Sequence, residues 1–163
     1  MLEELEETLK THPGCIVEIG AGFGDNTIEF LKLAKKYDRE VVVIDPFEEG
    51  WGEMPSSYQY AYGIFNDKTQ GYKDLLHLHK KNSLCQTSEE LCNSLDIAFA
   101  FVDGLQYKGA VLSDLRIVSH AKLICVDDMD RESAQSQVPS AVKCFVAENN
   151  KQLTIKGRWA LIK

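Results

Sequence analysis

Cys15-Ile16-Val17-Glu18-Ile19-Gly20-Ala21-Gly22-Phe23-Gly24-Asp25-Asn26-Thr27 is the stretch on which the fold of this chain turns. Its first five residues are rich in β-branched side chains and read as a buried strand. Glycines at every second position then break the strand. They let the backbone adopt positive φ and pass close to a ligand. A helical pattern follows to about Lys36. The helix N-terminus, with its free N–H groups and partial positive charge, therefore faces the turn.

The same alternation runs through the rest of the chain. Residues 2–11 read as an acidic helix that His12-Pro13-Gly14 stops. Val41-Val42-Val43-Ile44 is a strand buried on both faces. Residues 46–74 are the least regular, with Pro46, Gly50, Gly52 and Pro55 ahead of an aromatic-rich segment, Tyr58 to Tyr72, read as helix. Leu75 to His79 is a weak strand, with His77 and His79 read as structural. Thr87 and Glu90 have capping-box spacing, which predicts a helix starting there and running to about Leu95. Ile97 to Val102 is a strand, 107–120 a helix ending at His120, Lys122 to Val126 a strand, and 138–149 a helix. Gln152 to Ile155 and Trp159 to Ile162 form a hairpin with Gly157 at its turn. Strands alternating with helices predict an α/β domain, residues 1–163, with a mainly parallel sheet.

Composition narrows the function. The 163 residues are 44% hydrophobic and 26% charged, which excludes a disordered tail, a collagen-like chain and a disulfide scaffold. No run approaches the ~18 apolar residues of a membrane span. The opening MLEELEETLK is acidic, unlike a signal peptide, so a cytoplasmic protein with no membrane partner is expected. The net charge of −7 argues against nucleic acid. Five cysteines without a CxxC read as reduced thiols, with Cys15 and Cys125 in strands. Nothing specifies an oligomeric state.

In such sheets ligands bind beyond the carboxyl ends of the strands. The residues there are acidic. Glu18 precedes the glycines, which are spaced unlike the G-x-G-x-x-G of dinucleotide sites because the third comes one residue early. An acid there suits a cationic ligand. Asp45 follows the second strand and suits a ribose diol, the alternative being a turn acid. Asp103-Gly104 follows the fourth strand, and Asp127-Asp128, with Asp130 nearby, the fifth. Such carboxylates repel one another in a cleft, and a divalent cation with oxygen ligands would offset that; the alternative is solvated turn aspartates.

Glu18-x-Gly20-x-Gly22-x-Gly24 resembles the first motif of class I S-adenosylmethionine-dependent methyltransferases, and Asp45 their ribose-binding acid. A narrower likeness is to the macrocin O-methyltransferase type. It rests on Asp45-Pro46-Phe47-Glu48-Glu49-Gly50, on Phe101-Val102-Asp103-Gly104 with Val111-x-x-Asp114-Leu115, and on Val126-Asp127-Asp128 with Pro139-Ser140-Ala141-Val142. The resemblance implies a Rossmann-like, doubly wound, seven-stranded sheet with an antiparallel C-terminal strand. It also implies transfer of a methyl group to a hydroxyl of a sugar, glycoconjugate or small metabolite.

The cofactor set carried over is Glu18, Gly20, Ala21, Gly22, Gly24, Asn26, Thr27, Asp45, Pro46, Phe47 and Asp103, with Asn82 and Ser83 beside adenine. Mg²⁺ is implied on Asp103, Asp127 and Asp128. Where that group carries a His or Lys as base, this chain has Gln106, which takes no proton. Asp103, Gln106 and Lys108 form the candidate catalytic set. The acceptor is expected against residues 46–74, with Trp51, Tyr58, Tyr60 and Tyr62 as stacking candidates. Only residues 1–14 precede the first strand, so a substrate cap there is expected to be nearly absent. The rivals are a catalytically weak S-adenosylmethionine-binding module and a nicotinamide-dependent oxidoreductase, which the glycine spacing disfavours.

Overall fold

A computed structural model describes residues 1–47, 55–130 and 136–163, and for 55–59 the backbone alone. The strands are β1 (Cys15–Ile19), β2 (Val41–Ile44), β3 (Leu76–His79), β4 (Ile97–Val102), β5 (Leu123–Val126), β6 (Leu153–Lys156) and β7 (Trp159–Ile162). They form a seven-stranded sheet in the order β3-β2-β1-β4-β5-β7-β6. The first five are parallel; β7 pairs antiparallel with both β5 and β6. This is the expected doubly wound sheet, reversing direction on either side of β1.

The side-chain period of two decides which helices cover which face. Val17, Ile19, Val42 and Ile44 pack with residues of α4 (Gln86–Asn93), α5 (Lys108–Ile117) and α6 (Val138–Asn149). Ile16, Val41, Val43, Phe99 and Phe101 face α1 (Leu2–Thr11), α2 (Asp25–Tyr37) and α3 (Pro55–Thr69). Phe30 of α2 anchors the second layer, edge-on to Phe99 and Phe101 with centroids 5.9 and 5.4 Å away. Glu18 shares that face and is fully buried, a charged type in the middle of a core strand. Burying a carboxylate is costly, so its retention there calls for a chemical reason.

Local details differ from the sequence-based expectation. Helix α4 starts two residues earlier than the Thr87 cap implies: Cys85 is its N-cap, and Thr87 lies inside, its hydroxyl 3.2 Å from the Cys85 thiol. Helix α5 ends at Ile117 rather than residue 120, because Val118 leaves the helical region and Ala121 N–H turns back to the Val118 carbonyl. His120 thus ends no helix; its Nε2 sits 3.2 Å from the Leu95 carbonyl. Among the described residues no helix is long and apolar enough to cross a membrane. All five cysteines are free, and burial pushes the Cys15 thiol up to about 11 and the Cys125 thiol up to about 12.

Candidate functional site

The glycine-rich turn divides its work between two glycines. Gly20 has φ +83, and a Cβ there would lie 2.3 Å from the Asp103 carbonyl oxygen. It is the point where the loop crosses the end of β4, held by Gly20 N–H to the Ile44 carbonyl (3.0 Å) and Asp103 N–H to the Ile19 carbonyl (2.8 Å). Gly22 has φ +51, and a Cβ there would meet nothing within 4 Å. It borders open space, and that space is a cleft of about 240 Å³. Gly20, Gly22, Asp45, Ser83 and Asp103 are among the residues lining it, and so are Pro46 and Asn82. The cleft lies at the carboxyl ends of β1, β2 and β4, where a doubly wound sheet places its ligand.

Asp45 organises this cleft. Its Oδ2 accepts the N–H groups of Ala21 (2.9 Å) and Gly22 (3.2 Å), and its Oδ1 that of Phe47 (3.0 Å). The carboxylate pins the loop from behind while lining the cleft itself. Carboxylate oxygens have about two acceptor sites each, so Oδ2 is filled and Oδ1 keeps room for one hydroxyl donor.

Glu18 lies beside it. Thr27 Oγ1 donates to Glu18 Oε2 at 2.5 Å, whereas Oε1 is buried with no hydrogen-bond partner. Burial pushes this carboxyl up to about 8; the charges of Asp103 and Asp45 add to the effect and the Thr27 bond opposes it. A buried acid with an orphaned oxygen, flanked by two more acids, is a place for a cationic donor group. Asn26, in the first turn of α2, is half-buried.

The structure gathers the expected acids at one end of the sheet. Asp103 lines the cleft and also a smaller adjoining pocket, which it shares with Gln106, Asp127 and Asp128. Lys108 is not brought there. It is exposed at the start of α5, and its charge acts on Cys144 of α6. The Asn82 side chain accepts from Leu84 N–H (2.9 Å), and Ser83 lines the same wall. Tyr62 packs on Phe47 with centroids 5.3 Å apart, and Lys80 lies 4.1 Å over its ring. Tyr60 is exposed beside Phe23. Trp51, the Tyr58 side chain and residues 48–50 lie outside the described residues.

Two functional candidates escaped the sequence. Asp114 of α5 is fully buried, with neither carboxyl oxygen in a hydrogen bond. Burial pushes it up to about 7, the nearby Ser83 hydroxyl opposing. Its Oδ2 is 3.1 Å from where a Gly104 Cβ would stand, which places it behind the cleft wall. The other is Arg158. Its Nε donates to Asp127 Oδ1 at 2.5 Å, and its Nη2 to Asp127 Oδ2 and Asp128 Oδ1, each at 2.8 Å. Gln106 Nε2 donates to Asp128 Oδ2, and Asp128 N–H to Asp127 Oδ1.

This arrangement does not fit a divalent cation on Asp103, Asp127 and Asp128. Every oxygen of the two adjacent acids already accepts an N–H, and the guanidinium supplies the positive charge that the sequence argument sought from a metal. Two like unit charges ~4 Å apart repel by about 4 kcal/mol near a protein surface, and a divalent ion doubles that. Among the described residues no three His, Cys, Asp or Glu side chains converge in a metal-ligand arrangement.

Sheet order, glycine turn and acidic cleft together define a class I methyltransferase domain. A family model described as methyltransferase domain matches residues 17–123, and the chain belongs to that family. The match ends before Asp127, Asp128 and Arg158. No curated protein matches the chain. Among solved structures it is similar to CalS11, a TDP-rhamnose 3'-O-methyltransferase of calicheamicin biosynthesis. That pair has 18% identity and a TM-score of 0.73 over 99% of this chain and 77% of the other. It is similar to the O-methyltransferase NovP, with 16% identity and a TM-score of 0.65 over 99% and 78%. TomG from Streptomyces achromogenes, an O-methyltransferase of tomaymycin synthesis solved with S-adenosylmethionine, has 13% identity and a TM-score of 0.63 over 99% and 78%. At these identities the likeness is one of fold.

Proposed function

We propose that this chain is an S-adenosylmethionine-dependent O-methyltransferase acting on a hydroxyl of a sugar, a glycoconjugate or a small metabolite. The observation that carries the reading is the orphaned, buried Glu18 oxygen beside a cleft walled by Gly22, Asp45 and Asp103. Glu18 and Asp103 would hold the cofactor's cationic ammonium and sulfonium, Asp45 its ribose and the Asn82–Ser83 wall its adenine. Fold neighbours named as O-methyltransferases, one of them of a nucleotide sugar, support the choice of acceptor. The five free thiols suit a reducing cytoplasm.

Transfer is an in-line displacement. An acceptor oxygen lone pair forms the new C–O bond, the C–S bond breaks with its pair passing to sulfur, and the hydroxyl proton leaves. Asp103 is the residue we assign to take that proton, since it lines the cleft and Gln106 has no basic site. Alignment by the loop supplies the largest share, up to ~7–11 kcal/mol, and a positioned base typically ~10²–10⁴-fold. No step is routed through Mg²⁺, because Asp127 and Asp128, two of the three acids expected to hold it, are engaged by Arg158 and Gln106.

Calorimetry with S-adenosylmethionine and with NAD tests the cofactor, and transfer of a labelled methyl group to a panel of sugars, nucleotide sugars, catechols and small polar metabolites tests the acceptor. Saturable binding of S-adenosylmethionine with turnover on one panel member is expected. Binding without any turnover favours the weak-module reading, to which Gln106 in place of a base lends weight. Binding of NAD alone defeats both.

A further inference from the structure

We infer that Arg158 is the built-in cation of this site: it stands against Asp127 and Asp128 where the resemblance to the macrocin O-methyltransferase type implies a divalent metal, and the site works without one. This deepens the methyltransferase reading, and rests on it for the claim that the site works. The register of the sheet brings the residue there. β5 and β7 pair antiparallel with Val126 opposite Ala160, and Met129 N–H donates to the Arg158 carbonyl at 2.8 Å. Two residues past the end of this pairing come Asp128 and Arg158, whose side chains meet there, Nη2 to Oδ1, at 2.8 Å. The closing hairpin thus delivers a guanidinium to the carboxyl end of β5, one residue after its turn glycine, Gly157.

The chemistry is that of a closed charge group. Arg158 grips Asp127 with two parallel N–H···O bonds, the fork geometry in which arginine binds a carboxylate best, and shares Nη2 with Asp128. Gln106 closes the remaining Asp128 oxygen. This gives Gln106 a purpose: an amide can donate to Asp128, whereas a carboxylate there would repel it. The side chains of Asp127 and Asp128 are 7% and 5% exposed, so the pair needs an internal countercharge, and arginine cannot give up its proton to escape. Asp128 holds φ +62, a conformation an L side chain rarely adopts. Strain of that kind persists where the surroundings over-determine it, and here the guanidinium and the Gln106 amide hold its carboxylate from both sides. Arg158 is a positioning residue: it fixes the acids next to Asp103 and stands opposite their carboxylates.

The test is a Mn²⁺ titration of the EDTA-dialysed full chain, read from the paramagnetic resonance signal of the free ion. The wild-type chain is expected to leave Mn²⁺ free throughout. Arg158→Met, which removes the cation and keeps the length, should open the acids and bind Mn²⁺ at least about tenfold more tightly, the scale on which groups around a site change metal affinity. Adding Asp127→Asn to that variant should abolish the gain. Stoichiometric Mn²⁺ on the wild-type chain, lost in Asp127→Asn, overturns the inference. So does a folded Arg158→Met, checked by circular dichroism, that binds no better than the parent. Should that variant not fold, the wild-type titration decides: free Mn²⁺ supports the assignment and bound Mn²⁺ refutes it. The signal does not depend on methyl transfer, so failure to bind S-adenosylmethionine would sink the proposed function without touching this result.

Discussion

Gly20 and Gly22 both hold positive φ two residues apart, yet the structure assigns them opposite consequences on substitution. In Gly22→Ala the new methyl meets open space, so the cost is the backbone preference alone, roughly 1–2 kcal/mol. In Gly20→Ala the same preference applies, and the methyl would also sit 2.3 Å from a backbone oxygen. Ordinary carbon–oxygen contacts lie near ~3.3 Å, so loop and strand must part by about 1 Å. The two hydrogen bonds that hold the crossing, Gly20 to Ile44 and Asp103 to Ile19, are then lost or lengthened, at about 1 kcal/mol each. The sum is about 3–4 kcal/mol for Gly20→Ala. In a domain of this size ~1 kcal/mol moves Tm by about 2–4 °C, so Gly20→Ala should melt about 10 °C lower and Gly22→Ala about 4 °C lower. Cofactor affinity should invert the order per unit of stability lost. Gly22→Ala fills the cleft border and should weaken S-adenosylmethionine binding about tenfold or more, since one misplaced methyl in a close-packed site costs at least ~1–3 kcal/mol. Scanning calorimetry of the ligand-free chains and isothermal titration of the cofactor give both numbers. Equal stabilities for the two variants would refute the steric reasoning. An unchanged affinity in Gly22→Ala would show that the ligand does not pass there.

Three further outcomes follow from the same geometry. Glu18 holds its proton in the folded chain to about pH 8 but loses it near its ordinary value of 4.5 when unfolded. The folded state therefore binds the extra proton between those values, and ligand-free stability should fall as pH rises from 5 to 8, by up to about 1.4 kcal/mol per unit. Glu18→Gln should flatten that slope in urea titrations across the range and weaken cofactor binding; a slope unchanged in the variant would place the proton elsewhere. Asp114 adds a second slope, lost as pH rises through about 7. Asp114→Asn should gain on the parent by about 1 kcal/mol between pH 6 and pH 8, and no relative gain would mean the carboxylate is charged in the fold. Phe30→Ala, which empties a fully buried position between Phe99 and Phe101, should cost about 3–5 kcal/mol by chemical denaturation, and a loss under ~1 kcal/mol would contradict the packing.

Much of the fold was legible. Apolar runs of strand length separated by helical patterns are local signals, and β1, β2, β4 and β5 matched within a residue. Helix ends were less legible. The Thr87 capping box competes with a start at Cys85, and α5 stops at Ile117 because the chain must turn to feed β5, a demand set by the sheet. At the site, the expected grouping of Glu18, Asp45, Asp103, Asp127 and Asp128 at one end of the sheet was readable, since each acid sits at a strand's end. Asp114 was visible within a motif but not its burial, which depends on how α5 rolls against Gly104.

By itself the sequence determined the alternation of strand and helix, the glycine turn after β1 and the ring of acids beyond the strands. These are properties of short segments, set by side-chain period, branching and the backbone freedom of glycine. The tertiary structure alone decided which positive charge answers those acids. Asp127 and Arg158 are 31 residues apart and meet through the antiparallel register of β5 and β7. A charge's partner is a matter of distance in space, and only the folded sheet sets that distance.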